Sequence, residues 1–163
     1  MKSAVSSKRV FIIWVLWIMA FYHYCIITGF SAQPAAESSK ESGMVVGKIL
    51  DVLAAISNIG PENVFFINAE FIIRKLAHFT NFFILGFLYI MLADASSEGK
   101  RLFGAVSAAL VCGLAGAALD ELHQLFVPGR SAEVRDVCID FAGVFMGCLV
   151  YTVMKVICYG KEK

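Results

Sequence analysis

Apolar and polar positions fall into long blocks along this chain. Val10 through Phe30 carry no charge, and a run of about 20 residues at 1.5 Å per residue crosses a hydrocarbon core of about 30 Å. A short basic start with Lys2, Lys8 and Arg9 precedes it. A cleaved signal peptide has a shorter apolar region, and Ser31-Ala32-Gln33-Pro34 makes a poor cleavage site, so the run reads as a retained first span. Residues 31–43 are Ser, Ala, Glu, Lys and Gly with one Pro and read as a solvated loop. Val45, Ile49, Val52 and Ile56 then recur at helical spacing, with Lys48 and Asp51 elsewhere on the wheel. That stretch is too short and polar to span, and predicts an amphipathic helix on the membrane surface, ended by Gly60-Pro61. Further spans are predicted at about 71–92, 102–127 and 136–158, separated by a polar turn from Ala93 to Arg101 and a break at Pro128-Gly129. The expected architecture is all-α: one polytopic membrane domain, 1–163, of about four transmembrane helices with a surface helix between the first two.

Composition reinforces that reading. Of 163 residues, 59% are hydrophobic and 17% charged, against roughly half and a quarter in soluble domains. A net charge of +1 without a basic run excludes a nucleic-acid partner. The five cysteines all fall in apolar stretches without a CxxC pair, so they read as small packing residues rather than a disulfide framework or zinc site.

Charge in the loops bears on orientation. An inside N-terminus puts Lys2, Lys8, Arg9, Lys100, Arg101, Lys155, Lys161 and Lys163 in the cytoplasm. Lys40, Lys48, Arg74, Lys75, Arg130 and Arg135 then lie outside. The bias favours cytoplasmic termini and an extracytoplasmic segment 31–70, more so if the outer basic residues are held at a site.

The costly polar residues converge at one end of the bundle. Arg74, Lys75 and His78 open the second span; Asp120, Glu121, His123 and Gln124 close the third; Arg130, Arg135, Asp136 and Asp140 follow. With four spans, all of these meet at one membrane face, the extracytoplasmic one in this orientation. Ionisable groups near hydrocarbon cost on the order of 3 kcal/mol each, so they persist where they pair, line a wet cavity or do chemistry. Lys75, His78 and Phe82 share a helix face; Asp120, His123, Gln124 and Val127 share another, with Glu121 turned about 100° away. Asp136, Asp140, Gly143 and Gly147 form one stripe, and the Gly143–Gly147 pair lets another helix, or a second copy of the chain, approach closely. His23, beside Tyr22 and Tyr24, reads as a packed or interfacial histidine.

Four readings fit these residues. Ion pairs can serve only as helix-end glue. His78 and His123 with carboxylates are candidate ligands for zinc or manganese, although the residues call for no metal or other cofactor. Asp120, Glu121 and His123 can serve acid–base or phosphoryl-transfer chemistry. A binding site for an anionic head group needs only basic donors such as Lys75, Arg130 and Arg135, and demands least.

Arg74-Lys75-Leu76-Ala77-His78-Phe79, then Phe82, Leu85 and Gly86, resembles the K-x-x-H-F segment of the VanZ-like family. Asp120-Glu121-Leu122-His123-Gln124-Leu125-Phe126-Val127-Pro128-Gly129-Arg130 resembles its D-E-x-x-Q-x-F-x-x-x-R segment. Asp136 to Asp140, followed by Gly143 and Gly147, resembles its closing D-x-x-x-[N/D]-x-x-G-x-x-x-G. The likeness runs from about Phe71 to Val150; Asp140 stands where many relatives carry Asn, and Phe82 where Tyr is frequent. The resemblance implies a multi-pass protein of the bacterial cytoplasmic membrane acting at the cell envelope, in a family whose name comes from teicoplanin resistance. Expected partners are membrane lipids, a cell-wall precursor or a lipoglycopeptide. Lys75, His78, Asp120, Glu121, His123, Gln124, Arg130, Arg135, Asp136 and Asp140 are the expected ligand-binding set.

Overall fold

The computed structural model describes residues 2–56, 69–99 and 101–159. Among them are five helices and no strand: α1 Lys2–Ser31, α2 Ala35–Ile56, α3 Ala69–Ser96, α4 Leu102–Gln124 and α5 Val134–Tyr159. All but α2 are long and apolar enough to cross a membrane. Phe11, Trp14, Phe21 and Tyr22 lie exposed on α1, as do Phe103 and Val111 on α4 and Val153 and Val156 on α5. Such an apolar exterior suits helices whose solvent is lipid.

Four helices overlie the four expected spans, α1 beginning eight residues before Val10 and α4 ending three before Val127. One expectation fails: residues 35–43 are helical, so α2 starts well before Val45. Pro34 begins the helix, its carbonyl accepting from Glu37 N and Ser38 N at 3.0 and 3.1 Å. Ala35 N, otherwise an orphan at the helix start, donates to Pro128 O at 3.3 Å. Ser42 bonds back to the carbonyls of Ser38 and Ser39, satisfying a hydroxyl that composition alone assigns to a loop. Polar residues therefore form a helix here because the 125–133 turn and α3 hold it. Met44, Val45, Ile49 and Val52 stay exposed, as an amphipathic helix would leave them. Gly60-Pro61 lies outside the described residues.

Helices α3 and α5 run parallel in the tightest seam of the fold. A Cβ on Gly143 would strike Phe79 O, and one on Gly147 would strike Phe83 O; across the seam, one on Gly86 would meet the Val144 backbone. The close approach expected at the Gly143–Gly147 pair is thus made by α3 of the same chain, and this surface is filled without a second copy. Helix α4 lies antiparallel to both, with Gly113 against the Val144 side chain. Phe82, Leu85, Ile90, Ala109, Ala117, Val144 and Cys148 form the buried core.

Helix α1 runs antiparallel to α3 and is fastened at both ends. Arg9 pairs with Glu98 at 2.5 Å at one end. Towards the other, His23 Nε2 lies 2.9 Å from Asn81 O, and Tyr24 donates to Gly116 O at 3.3 Å. His23 is therefore a packed histidine, as expected.

Candidate functional site

The end of the bundle where α1 and α4 finish and α3 and α5 begin gathers the polar residues. Their division of labour differs from the sequence pattern. Asp120 is fully buried, and its Oδ2 accepts from Ser31 Oγ at 2.7 Å and Gln124 Nε2 at 3.0 Å. Gln124 Oε1 in turn accepts from Arg130 at 3.4 Å. Glu121 is buried as well, because it faces the start of α5: its Oε2 accepts from Glu133 N at 2.9 Å. That contact satisfies a free donor at the helix start. The residue expected on that polar face, His123, instead lies half-buried and lines neither of the polar cavities described below.

Lys75 is bound to Asp136 across the α3–α5 seam and lies over the Phe71 ring, 5.1 Å from its centroid. Arg135 pairs with Glu133 at 2.7 Å on the exposed rim and also covers Phe71. His78 Nδ1 stands 3.5 Å from Asp140 Oδ1, an electrostatic contact without hydrogen-bond geometry. Of the four basic residues expected here, Lys75 and Arg135 are already neutralised. Arg74 and Arg130 are not: among the described residues, neither has a carboxylate within 4.0 Å.

Those two arginines are held by neutral partners. Arg74 reaches Ser39 Oγ at 3.4 Å. Arg130 donates to Gln33 O at 3.0 Å and to Phe30 O at 3.4 Å. Burial lowers the Arg130 pKa from its usual value, and the positive charge of Arg74 lowers it further. The carboxylates of Asp120, Glu121 and Asp136 act on Arg130 in the opposite sense, without forming an ion pair with it among the described residues.

Arg74, Arg130 and His78 line two adjoining cavities. The larger, about 250 Å³, lies between α1, α2 and α3 and adds Ile27, Phe30, Val45 and Ile73 to a few polar groups. The smaller, about 110 Å³, is polar and contains Lys75, Gln124, Glu133 and Asp136. Asn81, Ser31 and Ser39 were not singled out from sequence, because uncharged residues in or beside an apolar run carry no signal of their own.

A second buried charge cluster sits at the opposite end. Asp94, 7% exposed, accepts from Lys155 at 2.5 and 2.6 Å and from Tyr151 at 2.7 Å. It locks the far end of the α3–α5 seam, and its Lys155 had read as an orientation charge.

Four apolar helices packed through small residues, with buried charge at both ends, define a small multi-pass membrane protein. The chain belongs to the VanZ/LLP1 family, whose model matches residues 11–155. The match extends past the motif region into α1, the helix that supplies Ser31, Tyr24 and His23 to the bundle. No curated protein and no solved structure matches the chain.

Proposed function

We propose that the protein binds an anionic amphiphile at this end of the bundle. The carrying observation is that Arg74 and Arg130, both without a carboxylate partner among the described residues, line a cavity that runs from guanidinium groups to Ile27, Phe30, Val45 and Ile73. A head group bearing phosphate or carboxylate suits the arginines, which present planar, fixed donors. An acyl or prenyl chain suits the apolar end. Anionic phospholipids, lipid-linked cell-wall precursors and lipoglycopeptides of the teicoplanin type share this chemistry. The setting that favours the last two is a bacterial cytoplasmic membrane with both termini inside.

Native mass spectrometry of the protein purified with mixed phosphatidylglycerol and phosphatidylcholine tests this. Wild type should retain phosphatidylglycerol selectively, and Arg74→Ala/Arg130→Ala should not. Equal retention of both lipids by wild type would remove the basis of the proposal.

A second reading, a hydrolase or phosphoryl transferase for a lipid-linked substrate, is favoured by His78. That residue borders both cavities and faces Asp140, so it occupies the acid–base position for which His123 was the sequence candidate. On this reading His78→Ala abolishes turnover of a lipid-linked phosphate while leaving its binding within about threefold. Loss of binding alone would exclude it.

A further inference from the structure

Beneath the arginines lies a set of donors that the amphiphile reading does not use. One side-chain atom each from His78, Asp120 and Asp140 lie within 4.8 Å of one another. Both aspartates are 0% exposed. Neither Asp140 oxygen accepts a hydrogen bond, and Asp120 Oδ1 accepts none either, although Asp120 Oδ2 takes two. Buried carboxylates short of hydrogen-bond donors are costly, and Asp140 has only the ion-pair contact with His78 at 3.5 Å beside it among the described residues. Lys75 does not relieve it, being engaged with Asp136, and Arg130 reaches Asp120 only through Gln124.

We propose that His78, Asp120 and Asp140 bind one divalent cation, Mn2+ or Zn2+. Two carboxylates and a 2+ ion sum to zero charge, which accounts for both aspartates at full burial. One nitrogen and two carboxylate oxygens suit these two ions, whose bonds to such donors are about 2.0–2.2 Å. The donor atoms, within 4.8 Å of one another, would draw together to close on one ion at that bond length. Support around the ligands is already built. Ser31 and Gln124 hold Asp120 Oδ2, which turns its free Oδ1 inward, as outer partners of a ligating carboxylate do. Four of the five donors and supports come from α3, α4 and α5, and Ser31 adds α1, so the cation would tie together all four spanning helices. His78 and Ser31 also line the larger cavity, so the site adjoins it, but titration with a metal ion alone reads the site with no amphiphile present.

The test is a titration of chelator-stripped, detergent-purified protein with Mn2+ alone, following the electron paramagnetic resonance signal of the free ion. Wild type should take up one Mn2+ per chain and release it to Zn2+. Asp140→Asn, which keeps the shape and removes one charge, should weaken uptake at least 100-fold. Ser31→Ala, which touches no donor atom, should weaken it about 10-fold or more, and His123→Ala should leave it unchanged. If Asp140→Asn does not fold, Ser31→Ala decides: weaker uptake supports the site, and wild-type uptake overturns it. Absence of saturable Mn2+ and Zn2+ uptake by wild type overturns it outright.

Discussion

Ser31, the last residue of α1, donates a 2.7 Å hydrogen bond to Asp120 near the end of α4, 89 positions later in the chain, and both residues are fully buried. This contact brings the first span into the polar end of the bundle. Together with the Arg130 bonds to Phe30 O and Gln33 O, it places the wall of the larger cavity that holds Ile27 and Phe30.

The Lys75–Asp136 pair is predicted to be structural. Both side chains are mostly buried, at 16% and 14% exposure, so removing one charge strands the other in a poor solvent. Lys75→Ala should cost about 3 kcal/mol, the low end for breaking a buried pair, and Lys75→Ala/Asp136→Ala should recover part of it. Thermal unfolding in detergent, read by circular dichroism, measures both. A single variant as stable as wild type would show that the pair contributes nothing.

Gly147 is predicted to tolerate no side chain. Its missing Cβ faces the Phe83 carbonyl, which is helix backbone and cannot rotate away. Gly147→Leu should separate α3 from α5 and cost about 3 kcal/mol or more, at or beyond the usual overpacking range. The same melting assay checks it. Because α3 carries His78 and α5 carries Asp140, the variant should also lose ligand binding; an unchanged melting point would refute the seam as described.

Much of this was legible in the sequence, for physical reasons that also explain what was not. Uninterrupted apolar runs mark spans because nothing but a helix satisfies the backbone in lipid, so α1, α3, α4 and α5 were readable. Residues 35–43 were not, since their helix depends on Pro128 and α3, contacts made across the fold. The convergence of polar residues at one end followed from counting spans. Which of them point inward did not: α4 is flanked by α1 on one side and the start of α5 on the other, so Asp120 and Glu121 are both buried and His123 turns aside. Asp94 and Lys155 lie 61 positions apart, and no local pattern announces their pairing.

Residues 36 and 131 are predicted to face the same side of the membrane, the outer one. In a background without native cysteines, Ala36→Cys and Ser131→Cys should react with an impermeant maleimide in intact cells, whereas Ser96→Cys should react only after lysis. All three positions are exposed. Protection of Ala36→Cys and Ser131→Cys until lysis would turn the site to the cytoplasm and leave lipoglycopeptides out of reach.

The central claim is that Arg74, Arg130 and an apolar cavity act together on one ligand. Binding of short-chain phosphatidylglycerol, glycerol phosphate and short-chain phosphatidylcholine to the detergent-purified protein, followed by isothermal calorimetry, tests it most directly. The account predicts that phosphatidylglycerol binds at least 10-fold more tightly than either competitor, and that Arg74→Ala or Arg130→Ala each removes about 10-fold of that affinity, on the order of 1.4 kcal/mol. Equal affinity for phosphatidylglycerol and phosphatidylcholine, or no loss in either arginine variant, would contradict it.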